Sequence, residues 1–302
     1  MDQPLHDLSE IYTAEWRERV RHYFEHGRQF SAARDYWAFG FERAWEQHTN
    51  AVKNKLEFVN MLSHWIEIPG SRVLVVGSFL GEEAIAFALR GANVTAIDLD
   101  REAIDLSQDL ISRFGVDIQC SVEDATKTRL PSESFDVVSC TQVLEHLPPV
   151  KQQALLGEMW RVCRTGGLIW LDTPNRANWI DRHDTGLPFI HWLPHPMSLW
   201  LARRVGRAVP TKEAGFGFRA VGVHHFLSFF QVTRFLKQLG SFEVLSRYRG
   251  FADLEHYRKV RTAQSRGDSP LFETKLLLMQ AMMRLWNFNW FQNMRLVIRK
   301  KA

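Results

Sequence analysis

The sequence lacks the features of a disulfide-stapled or membrane-spanning protein. Cysteine occurs only three times in 302 residues, at Cys120, Cys140 and Cys163, each in or beside an apolar run. Buried free thiols in a reducing cytoplasm are therefore expected. No apolar run reaches the length of about 18 residues that a spanning helix needs. Met1–Glu10 is polar and carries acids, so no N-terminal targeting signal is expected.

The sequence also has little excess charge of either sign. Lys and Arg total 38 against 34 Asp and Glu, which gives a formal net charge of +4. Because no compact Lys/Arg stripe with interleaved aromatic residues accompanies this balance, a nucleic-acid partner is not expected. Aromatic residues, by contrast, are abundant, with 21 Phe and 11 Trp. Most lie in 16–65 and 170–291, where they either pack added helices onto a core or line a substrate pocket.

The most informative stretch is 72–98. The apolar run 73–76 leads into a turn that carries Gly77 and Gly81, and a helix-like segment then leads to a second apolar run that ends at Asp98. This pattern predicts a strand, a glycine turn, a helix and a parallel strand with a carboxylate at its tip. Such a unit binds a nucleoside, because the turn admits close backbone approach and the acid accepts hydrogen bonds from ribose hydroxyls.

The turn does not fit a dinucleotide site, because Phe79 stands where that fingerprint has its middle glycine. Further motifs follow in order: Glu123-Asp124-Ala125, Leu130-Pro131, Ser134 to Ser139, Val143 to Leu147, Arg164 to Trp170 and Thr173 to Arg176. Together with 72–98, they resemble the class I S-adenosylmethionine-dependent methyltransferases. The small-molecule branch that includes the ubiquinone-pathway O-methyltransferases is the most similar.

This resemblance implies S-adenosyl-L-methionine as the cofactor and assigns residues to it. Gly77, Ser78, Phe79 and Gly81 would surround its amino-acid end and ribose; Asp98 beside Leu99 would hold the ribose hydroxyls; Asp124 with Ala125 would meet the adenine; and Thr141 would present its backbone to the methionine portion. Two positions depart from the family pattern. Val75 replaces the usual acid and Phe79 the usual second glycine, so a degenerate, non-catalytic scaffold of the same fold remains an alternative.

The predicted fold class is α/β, a Rossmann-like doubly wound seven-stranded sheet with N-terminal helices and two helical insertions. An N-terminal helical cap is predicted for 1–70, in which 8–66 is helical, and a methyltransferase domain for 71–302, with insertions at about 176–222 and 250–291. Asp100 is the expected cap of the helix after Asp98. Strands are expected at 72–76, 93–97, 116–120, 135–139, 167–172, 242–245 and 294–299, and further helices at 199–207, 224–240 and 276–291.

Histidine is the expected general base, because its ordinary pKa lies near working pH. His146 follows the fourth strand, and His225 lies at the exit of the first insertion; these two are the predicted catalytic residues. His191, His195 and His224 are further candidates to line the acceptor pocket. The resemblance also suggests a divalent metal on Glu145 and His146. Neighbouring side chains on a helix diverge, however, and a third ligand would be required, so no metal site is predicted.

The expected activity is methyl transfer to a small-molecule, glycan or lipid-linked acceptor, with a hydroxyl as the expected target. The aromatic and basic segment Leu199 to Arg204 is typical of interfacial helices, so a cytoplasmic protein with peripheral membrane contact is one expectation; packing of the insertions onto the core is the other. Nucleic-acid methylation and N-methylation by the same fold stay open as alternatives. The N-P-P-Y and D-P-P-Y motifs of nucleobase amino-group methylation are absent. The sequence does not fix the oligomeric state.

Overall fold

A computed structural model describes residues 10–26, 40–181, 183, 185–205, 224–246, 274, 277–278, 281–282 and 292–302. Parts of the predicted insertions, 206–222 and nearly all of 250–291, lie outside the described residues. The last two positions of the predicted helix at 199–207 also lie outside them, as do 27–39 within the predicted N-terminal helical region. The predictions made for these segments therefore remain predictions.

Seven strands form one sheet in the order β3-β2-β1-β4-β5-β7-β6. The strands β1 to β5 run parallel, and β7 lies antiparallel between β5 and β6. This confirms the predicted Rossmann-like sheet with its antiparallel last strand. The strands are β1 Arg72–Val76, β2 Asn93–Asp98, β3 Ile118–Val122, β4 Phe135–Thr141, β5 Cys163–Pro174, β6 Phe242–Ser246 and β7 Asn293–Lys300.

The third and fifth strands differ from the predicted bounds. The strand β3 begins at Ile118 and not at residue 116, because the left-handed Gly115 (φ 64°) turns the chain and two more residues are needed to reach the register in which Ile118 faces Val94. The strand β5 is longer than 167–172 at both ends. At its start, Cys163 pairs with Phe135 of β4, and at its end the pairing with β7 continues as far as Asn293.

The helices cover both faces of the sheet. Alternate side chains of β1 belong to different cores: Leu74 and Val76 pack with residues of α5 and α7, and Val73 and Val75 with residues of α2 and α3. Such alternation is the period of a buried strand. The helices are α1 Ala14–His26, α2 Gly40–Leu62, α3 Glu82–Leu89, α4 Arg101–Arg113, α5 Pro149–Val162, α6 His195–Arg204 and α7 Phe229–Leu239.

The N-terminal helices share a hydrophobic core with the helices that follow β1 and β2. Trp16 and Tyr23 of α1 are fully buried against Leu80, Ile85 and other side chains of this part of the sheet. The Tyr23 hydroxyl donates to Asp100 at 3.0 Å. Asp100 in turn caps α4 by accepting from the backbone N–H of Glu102, which confirms its predicted role. The glycine turn after β1 is therefore held from the N-terminal side.

Residues 224–228 do not begin a helix, contrary to the prediction. They are extended, and Leu227 forms an isolated bridge with Asn175 at the end of β5. The helix α7 begins only after Ser228, whose side chain forms a capping box with Gln231. Three residues of this segment, His225, Phe226 and Leu227, line one cavity of the molecule, and His224 contacts His146, which lines another.

The cysteines and the helix lengths agree with the sequence analysis. Cys120, Cys140 and Cys163 are free thiols, and the last two are buried, which confirms that part of the prediction. Among the helices that the structure describes, none combines the length and the apolar character that crossing a bilayer would require.

Candidate functional site

A cavity of about 580 Å³ opens at the carboxyl ends of β1, β2 and β4. We call it the main cavity. Parallel α/β sheets bind their ligands at this edge, and the volume lies in the range of small-molecule sites. The structure brings together there most of the predicted site residues: Gly77, Ser78, Phe79, Asp98, Leu99, Asp124, Ala125, Thr141 and His146. Gly81 and His225 are not among the residues that line it.

The turn after β1 needs glycine at its first position for two reasons. Gly77 has a φ of 66°, in the left-handed region, and a Cβ atom added there would lie 2.3 Å from Cγ2 of Val143. Phe79 keeps a left-handed backbone (φ 50°) although it replaces the usual glycine. Its backbone N–H donates to Oδ2 of Asp98 at 2.9 Å. The aromatic substitution thus leaves the turn intact and tied to the tip of β2.

We expect Gly77→Ala to weaken binding of S-adenosylmethionine at least about tenfold and to lower the free energy of unfolding by about 1–3 kcal/mol, because the new methyl group overlaps Val143. Gly77→Ala/Val143→Ala should recover part of both losses, since it removes the overlapping atom. Val143→Ala alone is the control. Calorimetric titration and chemical denaturation measure the two effects; a double variant no better than Gly77→Ala would show that Val143 is not the obstacle.

The two carboxylates at the strand tips have different environments. Burial raises the pKa of Asp98, although the backbone N–H groups of Asp100 and Phe79 donate to it. Asp124 accepts from both the N–H and the hydroxyl of Thr126. Burial opposes ionisation of Asp124, but these hydrogen bonds outweigh it and hold its pKa below the ordinary value. Each carboxylate has lone pairs left for a ligand, because an ionised carboxylate accepts about four hydrogen bonds.

The wall opposite these acids comes from the first turn of α3 and from α2. Glu83 is buried, and its carboxylate pairs with Lys55 of α2 and accepts from the Ser139 and Thr141 hydroxyls. Burial opposes ionisation of Glu83, and these partners reverse that effect, so its pKa lies below the ordinary value. Beside it, His48 lies 2.6 Å from Glu82.

All four of these ionisable side chains, His48, Lys55, Glu82 and Glu83, line the main cavity, and sequence analysis did not single them out. The sequence offers one indication of these residues, the adjacent acids Glu82 and Glu83 directly after Gly81. Because acids are common in the first turn of any helix, their presence does not by itself indicate a site. Nothing in the sequence of α2 marks Lys55 and His48 as their partners.

One polar atom in the main cavity has no partner. Ser78 is 5 % exposed, and in the described part of the chain its hydroxyl makes no hydrogen bond. A buried hydroxyl without a partner is costly. Ser78 therefore offers a hydrogen bond to a polar ligand in the cavity, which fits a cofactor that carries hydroxyl, amino and carboxylate groups.

Histidines gather at another side of the main cavity. His146, at the end of the 3₁₀ turn Leu144–His146, and His183, after β5, both line it. The ring of His224 lies 4.5 Å from that of His146 and 5.2 Å from that of His183, centre to centre. His183 Nε2 is 3.7 Å from Oε1 of Glu145. Three histidines and one carboxylate thus meet beside the cavity, and His183 was not among the predicted catalytic residues.

Glu145 is the acid of this group, and it is fully buried. Its side chain has no solvent exposure, and Oε2 accepts from the Thr173 hydroxyl at 3.1 Å. Burial raises its pKa to about 7, and the nearby His183 limits the rise. The Glu145 carboxyl therefore changes protonation close to neutral pH, and it does so next to a histidine that faces the cavity.

The raised pKa of Glu145 predicts a pH-dependent stability. Between its ordinary value of 4.5 and about 7, the folded protein holds a proton on Glu145 that the unfolded chain releases, so the contribution to stability falls as pH rises. We expect the wild type to lose about 1–3 kcal/mol relative to Glu145→Gln across this window. Urea denaturation of both proteins at successive pH values measures the difference, and parallel curves would contradict the raised pKa.

Two predicted site residues lie elsewhere. Gly81 is the N-cap residue of α3. It faces α4, and a Cβ atom added to it would lie 3.1 Å from Cβ of Ser107. It supports the packing of the two helices and does not line the main cavity. His225 faces away from the cavity and stacks on His195 at 4.4 Å, while its backbone N–H donates to the Glu145 carbonyl.

The remaining candidates take different positions. His191 is buried, and its Nε2 is 2.6 Å from the carbonyl of Asn178; burial lowers its pKa. Neither His191 nor His195 lines the main cavity; His146 and His183 do, and His224 contacts both of their rings from outside the lining. Among the residues that the structure describes, no set of three or more His, Cys, Asp or Glu side chains is arranged to hold a metal ion.

A comparison with protein families decides the class of this site. Residues 74–171 match the family described as "Methyltransferase domain". This segment is a methyltransferase domain. The resemblance to the class I S-adenosylmethionine-dependent methyltransferases is confirmed, and with it the cofactor, S-adenosylmethionine. The methyltransferase domain contains β2 to β4 and most of β1 and β5, and it supplies all the predicted cofactor residues.

Curated relatives match part of the chain. It is similar to the ubiquinone biosynthesis O-methyltransferase of Pseudomonas putida, with 33% identity over 120 residues, which cover 39% of this chain and 50% of that protein. The enzyme of the same name from Pseudomonas fluorescens is 32% identical over 120 residues, with the same coverage. The chain spans about half the length of the curated relatives it matches.

Solved structures extend the similarity of the fold beyond the methyltransferase domain. The chain is similar to the magnesium protoporphyrin IX methyltransferase of Synechocystis, with a TM-score of 0.52 and 14% identity over 95% of this chain and all of that one. A second structure is the S-adenosylmethionine-dependent methyltransferase of Mesorhizobium loti, with a TM-score of 0.51 and 15% identity over 82% of this chain and 100% of that one. At these identities the likeness shows the fold alone.

Proposed function

We propose that this protein transfers a methyl group from S-adenosylmethionine to an oxygen of a small-molecule acceptor. One observation carries the proposal. A single cavity is lined by the pair of strand-tip carboxylates, Asp98 and Asp124, and at another side by the pair His146 and His183. The first pair suits a nucleoside, and the second suits an acceptor that must lose a proton.

The residues that would hold the cofactor follow the cavity wall. Asp98 beside Leu99 would accept from the ribose hydroxyls, and Asp124 with Ala125 would meet the adenine. Gly77, Phe79 and Thr141, which border the same cavity, would contact the amino-acid portion and ribose, and the Ser78 hydroxyl would gain its missing partner. When bound, the cofactor supplies a methyl group already activated on a sulfonium.

The protein's own chemical task is then alignment, exclusion of water and removal of one proton. We propose His183 as the base, because it faces the cavity while Glu145 lies behind it at 3.7 Å. A carboxylate behind an imidazole orients the ring and stabilises its protonated form, as in other His-carboxylate pairs. His146 remains the second candidate. His225, which lies outside the cavity, is no longer one.

The pair also predicts a pH profile. Glu145 supports a protonated His183 only when it is itself ionised, and burial raises the pKa of Glu145 to about 7. We therefore expect kcat/KM to rise as pH increases through about 7, with an apparent pKa that belongs to the pair. In Glu145→Gln, activity should be lower and this rise should shift or disappear. Steady-state rates from pH 5.5 to 9 measure both; an unchanged profile in Glu145→Gln would remove Glu145 from the mechanism.

The acceptor class rests on two kinds of support. The relatives are named for O-methylation in ubiquinone biosynthesis, which favours a hydroxyl on a small or lipid-linked molecule. The first insertion also exposes large apolar side chains, among them Trp179, Trp192 and Trp200, at 46–65%. We propose that a hydrophobic or lipid-linked acceptor reaches the cavity past this surface, with peripheral contact to a membrane.

Titration calorimetry and a methyl-transfer assay test the proposal together. We expect saturable binding of S-adenosylmethionine, and transfer of a labelled methyl group from it to an extractable small molecule in a fractionated cell extract. Binding without transfer to any fraction would favour the non-catalytic scaffold. No binding at millimolar cofactor would rule out the proposed enzyme. Label in the nucleic-acid fraction would favour a nucleic-acid methyltransferase instead.

A further inference from the structure

A second cavity of about 270 Å³ lies between α5, α7 and the extended segment 225–227. It shares none of its lining residues with the main cavity. Its charged members are Arg176 and Arg234, and none of its described lining residues is acidic. We call it the arginine groove. Two cations that line one groove, with no carboxylate among its described lining residues, form an unbalanced positive site.

Arg176 is the unusual member of this pair. Its backbone is fixed on both sides, because its N–H donates to the Leu227 carbonyl and its own carbonyl accepts from Trp192 Nε1 at 2.6 Å. Its side chain, however, makes no hydrogen bond and no ion pair with any residue that the structure describes. Burial alone acts on its guanidinium and lowers its pKa. A fixed backbone thus holds a partly desolvated charge that no acidic residue in the described part of the chain neutralises.

Other partly buried arginines show what is missing. Arg113 lies 3.1 Å from Asp109, Arg161 lies 2.8 Å from Glu158, and Arg295 lies 2.7 Å from Asp172. Each of these side chains therefore faces a carboxylate within the protein. A desolvated charge without such a partner is destabilising, so the place of the carboxylate at Arg176 is open to a ligand of the same sign.

The rest of the groove describes the ligand further. Leu156, Phe226, Leu227 and Phe235 form apolar walls beside the two arginines. A planar guanidinium donates paired hydrogen bonds to phosphate and carboxylate oxygens. Two such cations match a doubly charged oxyanion better than a single carboxylate. The walls match an apolar group attached to that anion.

We infer that the arginine groove is a second ligand site, separate from the methyl-transfer cavity, which binds a phosphate monoester with an apolar substituent. Arg176 and Arg234 hold the phosphoryl oxygens, and the phenylalanine and leucine side chains cover the substituent. The inference does not depend on the proposed function, because no residue of the groove is assigned to cofactor or acceptor.

Titration calorimetry with inorganic phosphate and with hexyl phosphate, in the absence of S-adenosylmethionine, tests the site. We expect saturable binding of both, and tighter binding of hexyl phosphate by about tenfold, since part of the alkyl chain leaves water. Arg176→Gln and Arg234→Gln should each weaken hexyl phosphate binding at least tenfold. Equal affinity for the two probes would reduce the site to one for free phosphate and overturn the apolar part of the inference.

Lys237→Gln is the matched control. Lys237 lies on α7 with Arg234 and is exposed, but it does not line the groove. It should bind hexyl phosphate as the wild type does. If Lys237→Gln weakened the binding of hexyl phosphate as much as Arg234→Gln does, the effect would reflect the overall charge of the surface and not a defined binding site. The absence of saturable binding to the wild type at 10 mM of either probe would overturn the inference.

A stability measurement separates ligand binding from misfolding. Without phosphate, Arg176→Gln should melt at the same temperature as the wild type or higher, because it removes an uncompensated charge. With hexyl phosphate, the wild type should gain stability and Arg176→Gln should not. A variant that melts lower without phosphate would show that Arg176 has a structural partner, and the inference would fail.

Discussion

Replacing His183 by asparagine is expected to lower kcat for methyl transfer by about 100- to 10 000-fold, because the acceptor then loses its general base. His183 lines the main cavity and lies 3.7 Å from the buried Glu145, which would stabilise its protonated form. Binding of S-adenosylmethionine should change by less than about threefold, since the assigned cofactor contacts lie on the strand tips. Single-turnover rates and calorimetry measure the two quantities.

His195→Asn is the control for this experiment. His195 lies in the same insertion and is stacked on His225, but it does not line the main cavity. Its replacement should leave kcat within about twofold of the wild type. Full activity in His183→Asn would overturn the assignment. If His146→Asn then lost activity instead, the role of base would pass to His146.

The second large effect is expected at Asp98. In Asp98→Ala, affinity for S-adenosylmethionine should fall by about 1–3 kcal/mol, because buried ribose hydroxyls lose their acceptor. The structure adds a second consequence. Asp98 accepts from the N–H groups of Phe79 and Asp100 at 2.9 Å each, so the variant should also unfold at a lower denaturant concentration.

Asp105→Ala serves as the matched control, since Asp105 is an exposed acid on α4 that does not line the main cavity. Its cofactor affinity should stay within about twofold of the wild type. Chemical denaturation alongside calorimetry separates loss of the turn from loss of the ribose contact. An Asp98→Ala protein that is destabilised but binds the cofactor normally would leave Asp98 with a structural role only.

The sheet and the cofactor wall could be predicted from the sequence because their signals are local. Most strands contain a short apolar run, and the turn at Gly77 is formed by residues that are adjacent in the sequence. The positions of Asp98 and Asp124 at strand ends follow from the strands themselves. The ends of the strands could not be predicted as well. The strand β3 begins two residues after its predicted start, beyond the turn at Gly115, because its start depends on the register with β2, which the sequence of one strand does not contain.

The acid–base groups could not be predicted in the same way, because they depend on contacts between distant segments. Lys55 meets Glu83, and Glu145 meets His183, across separations that no pattern in the sequence records. For a different reason, the sequence could not show that His224, and not the predicted His225, lies against His146. In a helix, neighbouring residues lie about 100° apart, but the segment is extended, so neighbours point to opposite sides. His224 therefore contacts His146, and His225 does not.

The packing of the N-terminal helices affects how similarity to this chain should be used. Phe79, at the turn after β1, packs against Tyr23 and Phe24 of α1 and against His48 of α2. These partners lie outside residues 74–171, the part that matches the methyltransferase family, and so do Lys55 and His183. Fragments confined to the matched part therefore retain the strand-tip edge of the main cavity but omit these side chains of its wall. If they contact the acceptor of the proposed methyltransferase, substrate preference can change without any change in the shared motifs.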